Sequence, residues 1–217
     1  MEALLNDPIF IMLSVALVAA LIYNAWQAGQ RSKAWEQIIA DTGLEKTRIQ
    51  NDRRKDDALT GTYAGRQLAL IESSSPVYRN GKRKSDMMTS AATVIKIGLV
   101  YPAGLKLNMM RTSQKYDNIE KVLIDDEQID SRFVIESEPA ELVKSMLASE
   151  SLRETLARMK AGGAIYLEEN ELVYDQTGRI TDPAYIRYLF DVMISLVKPI
   201  EDFPAPEQIK SENEPGE

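Results

Sequence analysis

The chain contains no cysteine and no histidine in its 217 residues. Zinc, haem and iron–sulfur sites draw their ligands from those two residue types, and the common nucleophile–base pairs need one or both. That removes most familiar catalytic constellations. Carboxylate chemistry, Ser paired with Lys, and oxygen-ligated metals remain open, and none of them leaves a strong signature in one sequence. A cationic excess is missing as well. There are 26 Lys and Arg against 33 Asp and Glu, a net charge of -7, and neither a nucleic-acid partner nor a cofactor is expected.

One long apolar run is present. From Pro8 to Gln30 there is no charged residue, and Ile9, Phe10, Ile11, Leu13, Val15, Leu17, Val18, Leu21 and Ile22 alternate with alanines. A run of this length crosses a bilayer as a helix, and those side chains contribute roughly -3 to -5 kcal/mol of insertion free energy. Tyr23 and Trp26 fall near its end, where amphipathic rings prefer the headgroup level. Before the run lie Glu2 and Asp7; after it come Arg31, Lys33, Lys46 and Arg48. The positive-inside rule therefore predicts a single-pass cell-membrane protein with its N-terminus outside and its soluble domain in the cytoplasm. An acidic start and the residues Tyr23, Asn24 and Trp26 suit a cleaved signal peptide poorly. The mean hydropathy of -0.27 averages this span with a polar remainder.

Beyond the span, Ser32 to Thr42 reads as an amphipathic helix with Trp35, Ile38 and Ile39 on one stripe, either continuing the membrane helix or folding back beneath it. Gly43 is its stop. Glu45 to Asp57 carries five basic and four acidic residues, the mark of a solvated linker or strand edge. Leu59 to Tyr63 and Arg66 to Glu72 form a predicted hairpin around Ala64 and Gly65. A long loop over Ser73 to Ser90 precedes a strand from Thr93 to Tyr101. Pro102 to Gly104 then turns the chain, so that Leu105, Leu107 and Met109 return as the partner row of Ile95, Ile97 and Leu99. After a polar, acidic stretch, Arg132 to Ser137 is another strand. Two short helices follow, the first opened by Pro139 and the second by a capping box at Ser151 and Glu154. Ala164 to Glu168 and Leu172 to Asp175 make a second hairpin. Asp182 and Pro183 open a last helix in which Ile186, Leu189, Phe190, Met193, Ile194 and Val197 recur at three and four.

The expected organisation is a transmembrane anchor over residues 1–30, a juxtamembrane helix and linker over 31–57, a soluble domain over 58–199 and a disordered acidic tail over 200–217. The fold class is α+β: an N-terminal transmembrane helix, then a largely antiparallel sheet with helices packed on one face.

Among candidate sites, the basic loop residues Arg79, Lys82, Arg83 and Lys84, joined by Arg31 and Lys33, are placed to meet anionic headgroups. The alternative for the same residues is an ordinary charged loop. Gly81 and Lys82 fail as a phosphate-binding loop, because Arg83 replaces the required Ser or Thr and Pro76 the first glycine. Asp125, Asp126, Glu127 and Asp130, with Asp117 and Glu120 upstream, offer oxygen ligands without the glycine that a calcium loop needs. They read as a solvated acidic loop. Glu168 and Glu169 sit at a hairpin turn exposed to water and are not assigned to catalysis. The pairs Met87, Met88 and Met109, Met110 suit core gap-filling or an adaptable surface.

The run Ile129, Asp130, Ser131, Arg132, Phe133, Val134, Ile135, then Leu147 and Leu152, the Gly163 to Tyr174 hairpin and the helix opened by Asp182, resembles the C-terminal half of uncharacterised single-span membrane-anchored prokaryotic proteins with a soluble α+β domain. It extends loosely to Trp35 and to Gly61, Tyr63 and Gly65. The resemblance implies architecture and carries no catalytic residue. The sequence thus favours binding over catalysis: a membrane-anchored domain that engages the bilayer through residues 8–30 and a protein partner, as an accessory component of a membrane complex. The competing reading is a membrane-associated enzyme or lipid-binding domain using carboxylates or Ser with Lys; a closed pocket would favour it and a filled core would oppose it.

Overall fold

The computed structural model describes residues 8–51, 54–73, 91–101, 104–111 and 121–204. Its first element is one continuous helix, α1 (Pro8–Thr42), about 52 Å long at 1.5 Å per residue. The apolar span and the Trp35 stripe are therefore parts of one rod. Their surroundings differ sharply: Leu13, Leu17, Leu21 and Trp26 stand more than half exposed, whereas Ala34, Trp35 and Ile38 are buried. Gly43, at φ +73°, ends the rod, its N–H donating to Ile39 O at 2.9 Å.

Eight strands follow in one sheet: β1 (Glu45–Asn51), β2 (Arg54–Tyr63), β3 (Arg66–Ser73), β4 (Ala92–Gly98), β5 (Lys106–Arg111), β6 (Phe133–Glu138), β7 (Gly163–Glu168) and β8 (Glu171–Thr177). Their spatial order is β1-β2-β3-β4-β8-β7-β5-β6, and every pairing is antiparallel. The fold is α+β. Glu45 to Asp57 supplies β1 and the start of β2, the strand-edge form of its expected role. The Ala64–Gly65 hairpin stands, with both residues at positive φ, the geometry that joins two right-twisted strands by a two-residue turn.

The expected pairing of Leu105 to Arg111 with the strand before it does not form. The β7–β8 hairpin lies between β4 and β5, so β4 pairs with β8, and β5 with β7 and β6. Alternation told which residues face the core, and it was right for Leu105, Leu107 and Met109, all buried. It carries no information on the neighbouring strand, because any strand with an apolar face satisfies it.

Register aligns one apolar row across the sheet: Leu59, Leu70, Ile95, Tyr174, Ile165, Met109 and Ile135, each at most 1 % exposed. Helices cover this face. They are the end of α1, α3 (Ala140–Met146), α4 (Glu150–Ala157) and the closing α5 (Pro183–Glu201). Asp182 caps α5 by accepting from Ala184 N at 3.1 Å, and Ile186, Leu189, Phe190, Met193 and Val197 are buried as their spacing requires. The cap of α4 is Ser149, which accepts from Leu152 N at 3.4 Å, rather than Ser151. Ser151 instead lies inside the helix, where its carbonyl takes the Thr155 hydroxyl at 2.7 Å. Two serines stand at suitable spacings, and the earlier start adds about half a turn ahead of Leu152 and Leu156.

The acidic stretch is also built. A short helix, α2 (Glu127–Asp130), is capped by Asp126, which accepts from Gln128 N and Ile129 N. Asp130 accepts from Ile124 N at 3.0 Å and Asp126 N at 3.3 Å, and Arg153 Nε lies 2.8 Å from Asp126. These carboxylates hold a turn in place rather than forming a solvated loop.

Candidate interaction surfaces

Two surfaces stand out, one where α1 enters the domain and one along the β5–β6 side. The first is a charged collar. β3 alternates, so Leu68, Leu70 and Glu72 share the covered face, and Glu72 is buried there at the strand end. Trp35 Nε1 donates to Glu72 Oε1 at 3.2 Å. Arg31 Nε and Arg179 Nε stand 2.7 and 3.5 Å from Oε2, as ion pairs without an aligned hydrogen bond. Arg31 also donates to Asp57 at 3.1 Å and lies over the Trp35 ring at 4.8 Å, while Arg48 Nε is 3.5 Å from Asp57. A cavity of about 260 Å³ opens among Arg31, Arg48, Asp57, Glu72 and Arg179. The arrangement fixes the angle at which the helix leaves the sheet.

Burial raises the Glu72 carboxyl above its ordinary value, outweighing the lowering by Arg31, Arg179 and the Trp35 N–H. The folded chain then holds a proton that the unfolded chain has released, so stability declines as pH rises from about 4.5 through the raised value. Glu72→Gln keeps an acceptor for Trp35 and removes the charge. Its unfolding free energy at neutral pH is expected to change by less than about 1 kcal/mol, and the decline above pH 4.5 should flatten. Urea titrations across that range check this, and an unaltered slope refutes it.

The second surface is an open groove of about 970 Å³. Leu105, Leu107, Val122, Leu123 and Leu167 give its apolar part, with Lys106, Glu136, Glu138 and Lys144 among its charged lining. Val122 N donates to Ile135 O at 2.8 Å, which lays the 121–124 segment along the outer edge of β6. Leu123 projects half-exposed from it. The groove offers apolar contact within a charged rim, the anatomy of a protein interface, and it is not a closed pocket.

Of the residues assigned to lipid contact, Arg31 is held in the collar and Lys33 is exposed on α1. Arg79, Lys82, Arg83 and Lys84 lie outside the described residues, as do Met87, Met88, Asp117 and Glu120. No group of acidic residues able to hold a metal ion occurs among the described residues. At the β7–β8 turn, Lys96 Nζ lies 2.6 Å from Glu171 and 3.9 Å from Glu168. The collar was missed although its signal was present: continuing the Leu68, Leu70 alternation by one step puts Glu72 on the apolar face.

No family model matches the chain, and no curated protein sequence does. Among solved structures, the chain is similar to the crystal structure of the mycobacterial trehalose monomycolate transport factor A, TtfA. The match covers 81 % of this chain and 94 % of that one, at a TM-score of 0.52 and 9 % identity. At that identity the likeness is one of fold.

Proposed function

We propose that this chain is a single-pass membrane protein whose α+β domain binds a protein partner, as an accessory component of a membrane complex. The observation that carries the reading is the division of α1. One helix is long and apolar enough to cross a membrane, and its apolar window has no part buried in the domain. Eight exposed large apolar side chains from Ile9 to Ile22, with Tyr23 and Trp26, would be costly in water at about 1.5 to 3 kcal/mol for each fully buried side chain. A bilayer removes that cost. Arg31 and Lys33 follow the span directly, which supports a cytoplasmic domain by the positive-inside rule.

The filled row along the sheet supports binding over catalysis, since the face beneath the helices is packed with side chains along that row. The β5–β6 groove is the surface we assign to the partner. A fold shared with a protein described as a transport factor supports an accessory role beside a membrane. The test is a quantitative pull-down of the tagged full chain from detergent-solubilised membranes at native expression, set against Leu123→Glu. The wild type should enrich a defined partner, and the variant should lose it by about tenfold, the equivalent of 1.4 kcal/mol. Recovery of the wild-type chain alone, or equal recovery with the variant, counts against the reading.

A further inference from the structure

The sheet end from which α1 departs carries a second cluster of cations, separate from the collar. Register sets Asp57, Glu72, Thr93, Gln176 and Gly163 in one line across β2, β3, β4, β8 and β7. Arg111, the last residue of β5, lies at the same end, one position beyond the Met110–Ala164 pair. The C-terminus of α4 meets it there. Arg111 Nε donates to Met159 O at 3.0 Å, Arg111 Nη1 to Arg132 O at 3.4 Å, and Arg132 Nη1 to Ala157 O at 3.3 Å. Lys160 N donates to the Tyr185 hydroxyl at 2.8 Å, and its Nζ lies 4.2 Å from the centre of that ring. Arg158 completes the group beside Tyr188.

Two of these contacts have a plain structural reading, because cations at a helix C-terminus satisfy its last carbonyls. That accounts for one or two N–H groups of Arg111 and Arg132, out of five on each guanidinium. It does not account for Arg158 and Lys160, both exposed. Among the described residues no carboxylate lies within ion-pair distance of any of the four, nor of the scattered Lys33, Lys46, Lys121, Lys144 and Lys198, whereas Arg31, Arg48, Arg66, Lys96, Lys106, Arg153, Arg179 and Arg187 all have one. The Arg111 guanidinium is held below its ordinary pKa by burial and by the like charge of Arg132. Four positive charges with no carboxylate partner among the described residues thus share one corner of a chain whose net charge is -7.

We infer that Arg111, Arg132, Arg158 and Lys160 form a contact face for the anionic phospholipid surface of the bilayer that α1 crosses. This rests on the membrane-spanning reading of residues 8–30. Placement chooses the lipid surface over other polyanions. Arg31 follows Trp26 by five residues, roughly 7.5 Å along the helix, and Arg31 is paired to Asp57 and Glu72 on the aligned row. The β2–β3 part of that sheet end therefore lies within about one Debye length of the aromatic layer, where headgroup charge is still felt. From β2 to β5 there are five inter-strand steps, about 24 Å. A helix alone lets the domain swivel; a second contact at that distance sets its rotation. The opposite sheet end carries Glu138, Glu168, Glu169 and Glu171 against Lys96 and Lys106, a net negative balance that anionic headgroups do not attract.

The absence of cysteine permits a clean test. Full-length chain carrying Ala161→Cys, labelled with a fluorophore, is reconstituted into phosphatidylcholine vesicles with or without about 30 % phosphatidylglycerol and a headgroup-attached nitroxide quencher. Quenching should be about threefold stronger in the anionic vesicles and should fall to the zwitterionic level in about 0.5 M salt. The change R132Q/R158Q/K160Q should erase the difference, and K106Q/K198Q, away from the cluster, should leave it intact. R158Q/K160Q, which touches no described side-chain hydrogen bond, should remove at least half of it and guards against misfolding of the triple variant. Equal quenching in both vesicle types, or an unchanged difference in these variants, overturns the inference. If inorganic phosphate at constant ionic strength abolishes the difference, the cluster is a site for soluble phosphate and the lipid assignment falls. Alkaline carbonate extraction of the same vesicles reports the anchor separately: a chain that washes out refutes the membrane-spanning reading itself.

Discussion

Gly163→Ala should destabilise the domain by about 3 kcal/mol, near the upper end of what one added methyl costs in a packed interior. Gly163 needs no special backbone freedom, and the argument is one of space. A Cβ built there would sit 2.5 Å from the Tyr174 hydroxyl oxygen and 2.7 and 2.8 Å from Cε2 and Cζ of the ring. Tyr174 cannot yield easily. It lies in the middle of the apolar row at 0 % exposure, and its hydroxyl donates to Gln176 Oε1 at 2.5 Å, with Gln176 itself opposite Gly163 in the register. Burial pushes the phenol pKa upward, so it remains a donor across the usual pH range. Relief requires rotating a buried ring or parting β7 from β8. In a Tyr174→Leu background the same glycine change should cost less than about 1 kcal/mol, because the colliding atoms are gone. Urea unfolding in detergent, followed by intrinsic fluorescence, gives all corners of the cycle. A cost below about 1 kcal/mol in the wild-type background would show that the ring has room.

Trp35→Ala should cost about 3 to 5 kcal/mol and loosen α1 from the domain. The indole is 4 % exposed, joins the main core, and donates its N–H to Glu72. Removing it opens a cavity and leaves Glu72 Oε1 without its donor in a buried place. It also withdraws the ring beneath Arg31, an interaction that strengthens as it is desolvated. Trp35→Phe keeps most of the volume and loses the N–H, and should cost about 1 to 2 kcal/mol. Amide hydrogen exchange distinguishes local from global loss. For Trp35→Ala, amides over residues 31–42 should exchange about a hundredfold faster, more than those of β4 and β8, if the helix detaches while the sheet holds. Uniform acceleration across the sheet would mean that Trp35 supports the whole domain rather than the junction.

Much of the architecture was legible in the sequence because it is local. Three-and-four spacing placed α5 with its Asp182 cap, two-residue turns placed both hairpins, and the unbroken apolar run placed the exposed part of α1. The partner of β5 was not legible. Ile95, Ile97 and Leu99 fit Leu105, Leu107 and Met109 as well as they fit Leu172 and Tyr174, and the decision depends on a hairpin some 60 residues further on. The collar was half legible: Trp35 was assigned to an apolar stripe and Arg31 to the bilayer, and only the fold brings both to Glu72. The corner of Arg111, Arg132, Arg158 and Lys160 left no run to notice, because its members come from a strand end, a turn and a helix end.

The insertion of β7–β8 between β4 and β5 bears on how the chain assembles. While it emerges, β1 to β4 can pair in sequence as successive hairpins against the buried end of α1. β5 and β6 can pair only with each other at that stage, because β4 lies three strand spacings away, about 14 Å. The two halves of the sheet join when the last third of the chain arrives between them. Until then β4 and β5 each present a free edge of the kind that recruits foreign strands. With the N-terminal helix in a bilayer, as proposed above, neighbouring chains meet during that interval by lateral diffusion in two dimensions, which raises the premium on rapid closure by the β7–β8 hairpin.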